Sequence, residues 1–240
     1  MKRQLRIMHS SLQFSDNPTQ QRHDIRAIFK HGADVITWTE ASPDNANYRL
    51  VKEVGKAFGY TVHAAGAGVG VAVKKSVGIV TDKGFIKVAD GIRHQYSNRG
   101  IAWVEVDVPW QKEPVYFGAV HYVTKGRVPA DGYRYRVNRA MAKAIGVFAR
   151  SRGKGARKVW INGDFNILDN KMDVFFGEPL TTCWDELKKH PSTGHGNIDA
   201  IASYDADGRV RCLSALAYPD AKWALHTDHF PIEAVYEVAV

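Results

Sequence analysis

Cysteine is scarce: Cys183 and Cys212 are the two in 240 residues. So far apart, they form neither the paired spacing of a zinc site nor a CxxC redox motif, and a chain of this length can bury a sufficient core without a disulfide framework. Their small number fits a reducing compartment, where each serves as a small apolar filler. Long apolar runs are missing as well. No stretch approaches the roughly 20 residues of a membrane-spanning helix, and Met1-Lys2-Arg3-Gln4 leads into a strand-like run in place of a signal-peptide core. The expectation is a cytoplasmic protein with no membrane insertion. Internal repeats, low-complexity tracts and long linkers are also lacking, which argues against solenoids and for one domain over 1–240. Acids are the minority charge, 25 against 33 Lys and Arg, so the chain carries +8 and a field that attracts polyanions.

What is present is an alternation of β-rich and helical segments. A strand is expected over 5–9, then a helix over 18–31 with Asn17 as its cap, Ile25, Ile28 and Phe29 on one face and Gly32 just beyond its end. A second strand over 34–38 runs into Glu40, and a helix over about 44–58 carries Leu50, Val51, Val54 and Phe58 at helical spacing. From 60 to 121 the texture is that of an antiparallel meander, with runs at 68–73, 77–80, 101–108 and 115–121. A long helix comes next, over 132–150, then strands at 159–162, 197–203, 209–214 and 231–240. Mixed strands with helices at intervals predict two packed sheets flanked by helices.

Acids and histidines recur where these strands end: Glu40, His121, Asp164 with Asn166, Asp199, and Asp228 with His229. In layered α/β folds such ends combine backbone precision with solvent access. Each residue alone has a plainer reading. Glu40 can cap the turn at Ser42-Pro43, His121 can donate to a carbonyl, Asp228 can cap the turn into the last strand, and Gly163-Asp164-Phe165-Asn166 can be an Asx turn. Their recurrence in order is harder to dismiss.

The set Asp34-Val35-Ile36 to Glu40, Ala119-Val120-His121, Gly163-Asp164-Phe165-Asn166, Ile198-Asp199-Ala200-Ile201 and Thr227-Asp228-His229-Phe230-Pro231-Ile232 resembles the endonuclease/exonuclease/phosphatase superfamily, the relatives of deoxyribonuclease I. The Gly-Asp-Phe-Asn and Asp-His-x-Pro pair is its most specific part. The resemblance implies a four-layer α/β/β/α sandwich that hydrolyses phosphoesters with Mg2+, or Mn2+. It implies Glu40 and Asp228 at the metal, Asp164 activating a water, Asn166 positioning that water or a phosphate oxygen, His229 on the scissile phosphate oriented by Asp199, and His121 on the phosphate or the leaving oxygen. Ser11 stands where the family places a metal-proximal asparagine, so weaker metal binding is expected. No carboxylate partner for His121 is evident in the sequence.

The chemistry asks for the same residue types. A phosphodiester repels anionic nucleophiles, so its hydrolysis needs positive charge on the non-bridging oxygens, a positioned water and proton transfer at both ends. Lys125, Arg127, Arg134 and Arg139, with Lys154, Arg157 and Lys158, are candidates for a basic rim, although each alone reads as a solvated charge. The expectation is a nuclease on nucleic acid, DNA favoured. The alternatives are a phosphatase or phosphodiesterase on a small or lipid-derived phosphoester, and a catalytically impaired nucleic-acid-binding protein.

Overall fold

The computed structural model describes residues 2–12, 17–41, 46–65, 68–91, 98–124, 131–166, 180–189, 192–193, 198–219, 225–227 and 229–240. The elements in chain order are β1 (Lys2–Ser11), α1 (Pro18–His31), β2 (Val35–Thr39), α2 (Ala46–Ala57), β3 (Tyr60–Ala64), β4 (Gly70–Lys74), β5 (Ile79–Ala89), β6 (Arg99–Asp107), β7 (Val115–His121), α3 (Asp131–Arg152), β8 (Lys158–Asp164), β9 (Thr181–Thr182), α4 (Cys183–Leu187), β10 (Asp199–Asp205), β11 (Val210–Ala217) and β12 (Ile232–Ala239). They form two six-stranded mixed sheets, β11-β12-β1-β2-β4-β3 and β5-β6-β7-β8-β10-β9.

Hydrophobic patterning explains the layers. In β1, Leu5 and Ile7 face the second sheet while Met8 faces the helices, because successive strand residues point to opposite sides. Ile25, Ile28 and Phe29 of α1 and Leu50, Val51 and Val54 of α2 bury against Met8, Ile36, Trp38 and Ala72 on the outer side of the first sheet. On the outer side of the second sheet, Phe148 of α3 packs against Trp103 and Tyr116. Between the sheets Trp160 stacks on Phe117 and meets the ring of Tyr236 from β12. The result is the expected four-layer α/β/β/α sandwich. No described helix is long and apolar enough to cross a membrane.

The capping signals at α1 hold: Asn17 accepts from Thr19 N–H at 2.9 Å, and Gly32 takes a left-handed φ of 80° at the other end. The meander is divided between the sheets. β3 and β4 pair in the first, and the chain enters the second with β5. The run expected at 77–80 is the start of the longer β5, an edge strand whose many exposed positions leave no continuous apolar signal. β9 and α4 have two and five residues, too short to show a period, and sequence patterning misses them.

Candidate active site

Strand register assembles the site. β7 and β8 pair in parallel with His121 opposite Asp164, and β8 and β10 pair antiparallel with Asp164 opposite Asp199. Residues opposite each other project to the same face, so the three form a row at one end of the second sheet, turned toward the first. In the first sheet β1 and β2 pair in parallel, with His9 opposite Thr37 and Ser11 opposite Thr39. Parallel neighbours end together, which brings Ser11 beside Glu40, and the Ser11 hydroxyl donates to Glu40 Oε2 at 2.9 Å.

Local chemistry fixes each group. Gly163 must be glycine: a Cβ there would lie 2.1 Å from the Val120 carbonyl oxygen of the adjoining strand. Asp164 Oδ1 accepts from Asn166 N–H at 2.8 Å, and Oδ2 accepts from Asn166 Nδ2 at 2.8 Å. The Asx turn offered as the plain reading is therefore real, and it is also what clamps the carboxylate. Asn166 sits at a φ of 51°, a conformation asparagine tolerates. Glu40 has a φ of 68°, an uncommon strained geometry at the end of β2. His229 Nδ1 lies 2.8 Å from Asp199 Oδ2, and the Thr227 hydroxyl oxygen accepts from His229 N–H at 3.2 Å. His121 Nε2 is 3.4 Å from Asp164 Oδ2, so a carboxylate that the sequence did not connect with it stands beside the ring.

The row is buried, and burial sets its electrostatics. Desolvation pushes Asp164 up to about 6 against the pull of His229, the Asn166 N–H and Arg99. Desolvation, reinforced by the Asp164 charge, also takes Asp199 up to about 6, opposed by its bond to His229. His121 is pushed down to about 3, first by burial and then by the charge of Arg99, with Glu40 and Asp199 opposing. Asp164 is thus a carboxylate whose affinity for a proton has been brought close to neutral pH, as a general base requires.

Several residues escaped sequence reasoning. His9 is buried between the sheets, with Nδ1 3.0 Å from Thr37 Oγ1 and Nε2 3.7 Å from Asp199 Oδ1. Neither His9 Nε2 nor Asp199 Oδ1 has a hydrogen-bond partner among the described residues, so the Asp199 carboxylate stands between two imidazoles. The alternation of β1, which puts His9 on the same side as Ser11, was the available signal. Thr193 accepts from Asp199 N–H through its hydroxyl and from Phe230 N–H through its carbonyl, tying β10 to the His229 segment. Asn138 pairs with both the N–H and the carbonyl of Val123, just past β7.

The expected basic rim is corrected in part. Lys158 is 1% exposed and paired with Asp205, and it lies at the opposite end of β8 from Asp164, so the length of the seven-residue strand separates it from the site. Arg157, beside it, pairs with Glu113. Arg134 donates to the carbonyls of Val123 and Asn166 and thereby braces the site loops. Arg139 is exposed on α3. Asp228, Lys125 and Arg127 lie outside the described residues.

This is the endonuclease/exonuclease/phosphatase fold. An endonuclease/exonuclease/phosphatase family protein from Bacteroides thetaiotaomicron superposes with a TM-score of 0.73 at 14% identity over 100% of both chains. The mannosyl-6-phosphatase Bt3783 of the same organism gives 0.71 at 14% identity, covering 97% of this chain and 99% of its own. D. rerio TDP2, complexed with a single-strand DNA product, gives 0.71 at 15% identity, covering 97% and 98%. No family model and no curated protein sequence matches the chain.

Proposed function

We infer that the protein is a divalent-metal-dependent phosphoester hydrolase, and within that class a nuclease with DNA as the favoured substrate. The observation that carries the reading is the Asp164–Asp199–His229 arrangement, a near-neutral carboxylate set beside an Asp-held imidazole. A binding domain would gain nothing from placing two acids opposite each other in a site meant for a polyanion.

Glu40 and Ser11 fit a hard cation, since both offer oxygen and their 2.9 Å contact puts the two donors side by side. When bound, magnesium or manganese polarises a phosphoryl oxygen. Asp164 takes the proton of the attacking water. Asn166 commits its amide N–H groups to Asp164 and the Tyr122 carbonyl, so its part is to hold the base in place. Asp199 holds His229 by Nδ1 and so directs Nε2 to a non-bridging oxygen, where the imidazolium form adds a donor and a positive charge. A His121 held down near 3 is neutral at pH 7, which favours contact with the phosphate over protonation of the leaving oxygen.

The net charge of +8 supports a polyanion as substrate. The small-phosphoester reading keeps a specific support: Lys158, Arg157 and Arg134 are spent within the fold and leave fewer cations for a long phosphate track. The test is incubation of the protein with supercoiled plasmid, linear duplex, single strands, RNA and small phosphoesters, each with magnesium, manganese or chelator. Metal-dependent plasmid nicking is expected. Phosphate release from small esters alone selects the second reading, and no turnover with any substrate overturns both.

A further inference from the structure

A second group of titratable side chains, outside the row of acids and histidines, joins α1 to the segment leading into His229. His23 and Asp24 are neighbours on α1, and His226 comes from the 225–227 segment. Both imidazoles turn Nδ1 toward one oxygen: His23 Nδ1 lies 3.1 Å and His226 Nδ1 3.0 Å from Asp24 Oδ1. The three donor atoms all lie within 4.8 Å of one another. His226 N–H donates to Asp24 Oδ2 at 2.9 Å, which fixes the carboxylate and leaves Oδ1 as the point on which the rings converge.

These separations are close to those of a coordination shell. An ion bound tetrahedrally at about 2.0–2.2 Å from nitrogen and oxygen holds its donors about 3.3–3.6 Å apart, close to the two imidazole–carboxylate separations here. The His226 N–H on the second carboxylate oxygen is the kind of outer contact that orients a metal-binding carboxylate. The His23 and His226 side chains are 53% and 38% exposed, so the group opens to water on one side, where a further ligand can enter. As hydrogen bonds alone, contacts at so exposed a histidine are screened by solvent and contribute little.

We propose that His23, Asp24 and His226 form a structural site for a borderline transition-metal ion, zinc above all. Two imidazoles and one carboxylate suit zinc, whereas the all-oxygen position at Glu40 and Ser11 suits magnesium, so donor chemistry separates the two sites. The ion ties α1 to the segment in which Thr227 accepts from the His229 backbone. It therefore anchors the approach to the active-site row without entering it, and the proposal does not depend on the hydrolase reading.

The test is calorimetric titration of the metal-free full-length protein with zinc chloride in excess magnesium, together with thermal melts with and without zinc. Wild type should take up one zinc ion and melt at a higher temperature with it. His23→Ala, at an exposed position that the fold does not need, and His226→Gln should bind zinc at least about tenfold more weakly and lose the zinc-dependent rise in Tm. Glu40→Ala should keep both. Cobalt(II) provides a direct view of the ligands: its visible absorption should appear in wild type and Glu40→Ala and be lost in His23→Ala. Zinc uptake and cobalt absorption unchanged in His23→Ala, or no zinc uptake by wild type, would mean that the group is only a hydrogen-bonded triad and would overturn the proposal.

Discussion

At one end of the β8–β10 ladder Asp164 stands opposite Asp199, while at the other Lys158 stands opposite Asp205. Both ends are buried, and they meet the cost of burial differently. The Lys158 ammonium pairs with Asp205, whose other oxygen also accepts from Val210 N–H at 2.8 Å. At the Asp164 end like charges face each other, and Asp199 Oδ1 lies 3.7 Å from His9 Nε2. Like charges directly opposed on a ladder are destabilising. The same pair of strands thus holds an ion pair at one end and, where the chemistry is proposed, two opposed acids held by hydrogen bonds to Asn166 and His229.

The largest effect is expected at the satisfied end. Lys158→Met should destabilise the fold by about 3–5 kcal/mol, because it leaves Asp205 buried without its cation. The double variant Lys158→Met/Asp205→Leu should recover much of that loss, and activity per folded molecule should be unchanged in both. Chemical denaturation and rate measurements on the same samples check this; a single variant as stable as wild type would remove the contrast.

The opposite pattern is expected at the acid end. Asp164→Asn should lower turnover by about 100-fold to 1,000-fold, the typical cost of losing one group that acts on the transition state. Its Tm at pH 8 in chelator should be no lower than that of wild type, because the substitution relieves a buried like-charge pair. A rate within a few-fold of wild type would take Asp164 out of the mechanism.

Acidification should separate the two ends by sign. Asp164 and Asp199, raised to about 6 in the fold and near 3.9 when unfolded, bind more protons folded than unfolded between those values. The contribution of these two acids to the stability of the metal-free protein should therefore rise as pH falls from about 6 to about 4, by on the order of 2 kcal/mol per acid. His9 and His121, both pushed down to about 3 by burial, bind more protons unfolded and act in the opposite direction over the same range. Asp205 behaves conversely. Burial pushes its carboxyl up, but the bond to Lys158 and the Val210 and Arg209 N–H groups pull it below the usual range. Its contribution is present above about pH 4 and is lost as pH falls through its folded value. Denaturant melts across pH should therefore show Asp164→Asn losing stability more steeply than wild type between about pH 6 and 4, and Asp205→Asn losing it less steeply below about pH 4.

The range of the forces involved decides how much of this was legible in the sequence. Local signals held: the Asn17 cap, the Gly32 stop and the apolar faces of α1 and α2 act within a turn or two of chain. The ordered acids and histidines at strand ends marked a candidate site, because register brings His121, Asp164 and Asp199 at matching strand ends together. Pairings across the interior were not legible. His9 reads as one polar residue in a buried strand until β10 is set opposite it. Lys158 reads as a rim cation because its partner Asp205 is 47 residues away in sequence. The carboxylate beside His121 was hidden for the opposite reason, since Asp164 had already been assigned another role.

The smallest expected effect concerns Ser11, the position that departs from the family pattern. Its hydroxyl donates to Glu40 Oε2 at 2.9 Å, so the two side chains form one oxygen-rich edge of the site. A hydroxyl on a short side chain reaches a bound cation less directly than a carboxamide and would act through a water, at modest cost. Ser11→Asn carries the longer donor and acceptor to the same place, from a strand residue whose backbone is fixed by pairing with Thr39. The magnesium concentration for half-maximal activity should therefore fall by a few-fold, the worth of roughly 1 kcal/mol for one hydrogen bond. The pH dependence should stay the same, because the proposed proton acceptor, Asp164, is on the opposite sheet. A magnesium titration of both proteins decides it: an unchanged or higher midpoint would mean that Ser11 serves only to hold Glu40, and that this edge is set by the carboxylate alone.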